Sequence, residues 1–138
     1  MKRKIDVIKV KREQPDILTA EYLTIFDDLS DFYREIDCHT IDIVQRRFKG
    51  RLFDIICDDE ALLKAEPGLP TSLWFNEKRE KGVPELLEGL FGTLLLCHND
   101  GHGELTSVTP EDLIKVQQAY TIAGTSQGDS FVCLQHDL

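Results

Sequence analysis

The apolar positions of the chain fall into short runs with two different periods. From Lys4 to Lys11, Ile5, Val7, Ile8 and Val10 recur between charged residues, the near-alternation of a strand with one face buried. Glu13-Gln14-Pro15-Asp16 then supplies turn chemistry, with Pro fixing φ and Asp able to cap locally. Ile17 to Ile25 resumes the strand pattern, so the first two elements are expected to form a hairpin that stops at Phe26-Asp27-Asp28. The period changes next. Leu29, Phe32, Tyr33 and Ile36 stand at i, i+3, i+4 and i+7, one apolar stripe on a short helix that Asp27 or Asp28 can N-cap and that ends near Asp37. Thr40–Phe48 and Arg51–Cys57 read as two further strands around a Lys49-Gly50 turn, where Gly tolerates positive φ.

Beyond Asp58-Asp59-Glu60 the pattern degrades. Pro67, Gly68, Pro70, Gly82 and Pro84 interrupt residues 61–89, only Pro84–Glu88 could make a helical turn, and the stretch reads as a long loop carrying the sole Trp. Leu90–Cys97 suits a central strand with a bulge or close approach at Gly92. His98–Glu104 reads as a polar turn, and Leu105–Val108 as a strand pairing back. Thr109-Pro110-Glu111-Asp112 is a strong helix start, with Leu113, Val116 and Tyr120 lining one face of the helix. From Thr121 the helical pattern is lost. The order β-β-α-β-β-(long loop)-β-β-α predicts an α+β fold: a mainly antiparallel sheet with two helices packed on one face. Residues 1–122 are expected to form a single domain, and 123–138 a tail that is either a docked strand over Phe131–Leu134 or disordered.

Composition narrows the class. The 138 residues (15.8 kDa, 41% apolar) suit one globular domain, and no apolar run approaches the roughly 20 residues of a membrane span. Met1-Lys2-Arg3-Lys4 leads into a strand pattern, not a signal-peptide core. With no CxxC pair among Cys38, Cys57, Cys97 and Cys133, reduced thiols and a cytoplasmic location are expected. The 16 basic and 25 acidic side chains give a net charge of −9, unevenly placed: residues 1–57 hold 11 of each sign, and residues 58–138 hold 5 basic and 14 acidic ones. Such a surface repels nucleic-acid backbone, so direct nucleic-acid binding is not expected.

The candidate chemistry is sparse. Cys97, His98 and His102, with Cys38-His39 elsewhere, evoke zinc, but Gly101 and Gly103 disfavour a helical HxxxH face and no tight ligand pair frames the loop. No metal and no cofactor are therefore expected. GxSxG and HExxH arrangements are absent, which leaves no assigned catalytic residue. Asp100-Gly101-His102-Gly103 resembles a phosphate-cradling loop only loosely, because it joins strands instead of opening a helix. Arg46, Arg47, Lys49 and Arg51 cluster at one hairpin, where guanidinium groups could hold a phosphate or a carboxylate. The competing account is an edge strand protected by charge. Trp74-Phe75, on the breaker-rich stretch, would be either a lid or an interface anchor.

The segments Ile55-Ile56-Cys57-Asp58-Asp59-Glu60, Gly68-Leu69-Pro70, Phe91-Gly92-Thr93-Leu94-Leu95-Leu96, Asp100-Gly101-His102-Gly103-Glu104 and Ser107-Val108-Thr109, with the closing helix, resemble the phage- and plasmid-borne domain-of-unknown-function family 3846 over about residues 5–120. The chain departs from it at Ala61, where the family has Gly, and at Thr71-Ser72-Leu73-Trp74, which replace polar residues. The resemblance implies an accessory protein of a phage, prophage or mobile element working in the cytoplasm of a bacterial host cell, and carries over no catalytic role. The expected function is non-enzymatic binding that antagonises host defence. The protein would either dock on a host protein through its acidic face or sequester a small anionic ligand such as a nucleotide. The ligand residues would be Arg46, Arg47, Lys49, Arg51, Trp74, Asp100 and His102, with a homo-oligomer allowed. The alternatives are an acidic DNA-mimic inhibitor and a small metal-dependent enzyme using the 97–104 turn.

Overall fold

Lys4–Gln14 (β1) and Ile17–Phe26 (β2) pair antiparallel about Pro15 and Asp16. Leu29–Ile36 (α1) follows, N-capped by Asp28, whose side chain accepts from the Asp31 N–H at 2.9 Å, and closed by Asp37 in the left-handed region. Ile41–Phe48 (β3) and Arg51–Asp58 (β4) form the second hairpin, with both turn residues at positive φ, Lys49 at 50° and Gly50 at 84°. The computed structural model describes residues 2–61, 68–75, 86–124 and 128–137, with backbone alone at 74–75 and 86–88. The remaining strands are Pro70–Phe75 (β5), Leu86–Phe91 (β6), Leu94–Asn99 (β7), Leu105–Thr106 (β8), Tyr120–Gly124 (β9) and Ser130–Gln135 (β10), with Pro110–Gln118 as α2 between β8 and β9. Among the described residues no helix is long and apolar enough to cross a membrane.

The strands make two sheets. The first runs β2-β1-β7-β4-β3, with β8 paired to the end of β7; the second runs β6-β5-β10-β9. Every pairing is antiparallel except β10 with β5. This is the expected α+β class. The expectation of two helices on one face is corrected, and β7 shows why. Leu94 and Leu96 join Ile8, Val10, Phe53 and Ile55 in a core with Val116 of α2 and Leu134 of β10. Leu95 and Cys97, pointing the other way, join Val7 and Ile56 in a core with Phe32 and Ile36 of α1. A sheet apolar on both faces needs cover on both sides, so α1 takes one face, and α2 with the second sheet takes the other. Each fully buried Leu, Ile or Phe of these clusters contributes on the order of 2 kcal/mol.

The breaker-rich stretch differs most from expectation. Pro70–Phe75 is strand β5, and Leu86–Glu88, expected in a helical turn, belongs to β6. Pro67, Gly82, Pro84 and the Trp74 side chain lie outside the described residues. Leu90–Cys97 is not one strand: Gly92, at φ 78°, is a corner where the chain leaves the second sheet for the first, and its carbonyl accepts from Thr71 Oγ1 at 2.6 Å. Tyr120 belongs to β9, not to the helix face, because α2 ends at Gln118. Of the two readings of the tail, the docked strand is found. β10 lies between β5 and β9, burying Phe131 and Cys133 on one side and Leu134 on the other. The strand is therefore built into the same core as residues 1–122.

Candidate functional site

The antiparallel pairing of β4 with β7 sets Asp54 opposite Cys97, and so brings the start of β4 beside the end of β7. By strand alternation Arg51, Phe53 and His98 point to the α2 face, while Asp54 and Asn99 point to the α1 face. The His98 ring stacks on Phe53, with centroids 5.0 Å apart and planes 15° from parallel. Its Nδ1 lies 3.1 Å from the Leu52 carbonyl and its Nε2 2.8 Å from Asp112 Oδ2.

Asp112 has a double role. As the third residue of α2 it completes a reciprocal capping box, its carboxylate accepting from the Thr109 N–H at 2.8 Å and its own N–H facing Thr109 Oγ1 at 3.4 Å. The same carboxylate accepts from Arg51 Nε at 2.8 Å and meets His98. It has no solvent exposure. Burial alone would raise its pKa, but the Thr109 N–H, Arg51 and His98 together hold it below the ordinary carboxylate value. Arg51, with its side chain 47% exposed, is thus pinned through Nε. On the other side of the strand ends, Asp54 accepts from Gln45 Nε2 at 3.0 Å and from Asn99 Nδ2 at 3.0 and 3.1 Å. Gly50, Arg51, Leu52, Asp54, His98 and Asn99 line an open depression of about 380 Å³.

The other candidate residues do not converge on this depression. Arg46 shares the face of Phe53, whereas Arg47 points to the opposite one. Arg46 Nη1 donates to the Gln45 carbonyl at 2.7 Å, and Asp42 accepts from the Ile43 N–H at 2.8 Å. Both outward-facing backbone groups belong to β3, the end strand of the first sheet, so this is the geometry of a charge-protected edge. The amides of Lys49 and Gly50 donate to the two carboxylate oxygens of Asp137 at 2.8 and 2.6 Å, and the Asp137 N–H donates to the Arg47 carbonyl at 2.8 Å. Replacing Asp137 with alanine is expected to cost about 1–2 kcal/mol and to speed hydrogen exchange at the Lys49 and Gly50 amides; unchanged exchange would refute the clamp. Asp100 likewise spends its carboxylate within its own loop, on the N–H groups of His102 at 2.7 Å and Glu104 at 3.2 Å, while His102 is exposed. Trp74 lies on β5 in the second sheet.

The sequence points to Arg51 but not to its partners. In one dimension His98 reads as a zinc ligand or a turn residue, and Asp112 as part of a helix start; the Thr-Pro-x-Asp capping box is the one signal that could single Asp112 out. Among the described residues no three His, Cys, Asp or Glu side chains are grouped to hold a metal ion. Cys97 is turned away from His98, and burial pushes its thiol up to about 12; Cys57 and Cys133 are pushed to about 11 for the same reason.

No curated protein and no solved structure matches the chain. A family model described as a domain of unknown function, DUF3846, matches residues 5–121. That span takes in both hairpins, β7, the capping box and the Arg51–Asp112–His98 cluster, and the chain belongs to the DUF3846 family.

Proposed function

We propose that this protein is a non-enzymatic binding protein whose depression at the β4 and β7 ends takes a small anionic ligand of the phosphate or mononucleotide class. The observation that carries the reading is the pinned guanidinium of Arg51. Its Nε is fixed by a fully buried carboxylate, and the residue lines a depression of about 380 Å³, within the range of small-molecule sites. A guanidinium oriented in advance loses little freedom on meeting a phosphate and can bind it bidentately. Buried thiols with raised pKa values and Asp112 committed to four hydrogen bonds favour binding over nucleophilic chemistry. The phage or mobile-element setting implied by the resemblance fits an accessory that blocks host defence by sequestering such a ligand.

Calorimetric titration with inorganic phosphate and with adenosine monophosphate tests this. Binding is expected, and Arg51→Ala is expected to weaken it at least tenfold, about 1.4 kcal/mol, with Arg51→Lys intermediate. No heat with either probe, or equal affinity in Arg51→Ala, would overturn the assignment.

A second reading is favoured by a different observation. Pairing of β3 with β4, with Ile41 opposite Asp58, brings the exposed Asp42, Asp59 and Glu60 to the opposite end of the sheet. That corner suits a basic host protein, with association weakening as salt rises.

A further inference from the structure

The imidazole of His98 meets an oxygen at both of its nitrogens. Nδ1 lies 3.1 Å from the Leu52 carbonyl, a group that can only accept a hydrogen bond. Nε2 lies 2.8 Å from Asp112 Oδ2. Asp112 is held below the ordinary carboxylate value despite its burial, so it is ionised and likewise can only accept. A neutral imidazole has a single N–H. One tautomer would set a bare Nδ1 against the carbonyl, and the other a bare Nε2 against the carboxylate. Only a ring carrying both protons fills both contacts, and the face of Phe53, stacked at 5.0 Å, suits a cation.

We infer that His98 is a second cation of the depression and that its charge decides whether an anion is accepted beside Arg51. This role rests on the ligand reading of that depression and adds its regulation. Asp112 faces the ring from α2, while Arg51 and Asp54 share the depression from β4. With the ring neutral, two carboxylates outnumber one guanidinium and oppose an incoming anion. With the ring protonated the charges balance, and the attraction of Arg51 is no longer cancelled. The remaining neighbours do not change this. Thr106, the partner of His98 on β8, is uncharged. Tyr22 of β2 has its pKa raised by burial first, then by Asp6 and last by Asp112, and stays neutral. Because both His98 nitrogens are taken, the residue acts on the ligand through charge and not through contact.

Two measurements on the full chain test this between about pH 5.5 and 8, where histidine is the side chain that ordinarily titrates. Long-range proton–nitrogen NMR reads the protons on His98 directly. Calorimetric titration with sulfate, whose charge is constant over that range, reads their effect. At the acid end both His98 nitrogens are expected to carry protons, and the wild type to bind sulfate at least about fivefold more tightly than at the alkaline end. His98→Gln keeps a donor for Asp112 but cannot change charge, and is expected to bind with the same affinity throughout. His102→Gln, at an exposed position, is expected to keep the wild-type profile, and His136 stays neutral over the range. A bare nitrogen on His98 at the acid end, or a wild-type affinity as flat as that of His98→Gln, would overturn the role of His98 and leave the Arg51 reading standing. No sulfate binding at either end, with both nitrogens protonated, would overturn the Arg51 reading and this regulation with it.

Discussion

Asp112→Ala is expected to destabilise the fold by about 3 kcal/mol, the lower end of the range for removing one partner of a buried ion pair. The lower end applies because Arg51 is nearly half exposed and water can solvate part of the cation left behind. The loss has two sources. The Thr109 N–H and the first turn of α2 lose their cap, and His98 loses its acceptor above the Phe53 ring. For a domain of this size the melting midpoint should fall by on the order of 10 °C. Asp112→Asn keeps one acceptor and should fall between the two. Denaturant titration measures the change directly, and a difference below about 1 kcal/mol would mean that the cluster behaves like an exposed surface pair.

Acid should destabilise the protein well before its carboxylates titrate, through His136. This ring is buried, bonded through Nε2 to Ser72 Oγ at 2.7 Å and set edge-on against Phe48 at 5.2 Å. Burial first, and then the charge of Arg46, lower its pKa from 6.5 to about 4, against the opposing pull of Asp137. The unfolded chain therefore takes up a proton near pH 6.5 that the native state refuses until about pH 4. Stability is unaffected by this group above pH 6.5, declines as pH falls from 6.5 to 4, and has lost about 3 kcal/mol at the lower limit. Unfolding free energies of wild type and His136→Gln, compared between pH 7 and pH 5, isolate the effect because most carboxylates remain ionised there. Parallel curves would show that His136 accepts its proton natively at the ordinary pH.

The elements readable from the sequence are those whose turn and cap chemistry is local. Pro15-Asp16 and Lys49-Gly50 announce the two hairpins, and Asp28 and Thr109 announce the helices, because each acts within four residues of its position. β5, β6 and β9 are not legible because they are five or six residues long and two of them are embedded among Pro and Gly, so no period can establish itself. Leu90–Cys97 hides its corner because Gly92 within an apolar run reads as a bulge or a close backbone approach in one strand. The two-sided burial of β1, β4 and β7, which places the helices on opposite faces, emerges only once pairing is known. The site illustrates the same limit. Arg51, His98 and Asp112 are 47 and 14 residues apart in sequence, and it is β4–β7 pairing and the seating of α2 that join them.

The position of β7 governs how the molecule can be assembled. β1–β2 and β3–β4 are local hairpins, yet they do not touch edge to edge; β7, some 36 residues after β4, is the strand inserted between them. Until residues 94–99 arrive, the growing chain holds two separate ribbons, each with an apolar inner strand edge lacking its neighbour. Closing those loops precedes the reward from core burial, so the rate-limiting step of folding should be the docking of β7 and not the formation of either hairpin. Leu94, Leu95 and Leu96 then act as the keystone, and substitutions there should slow folding more than they speed unfolding.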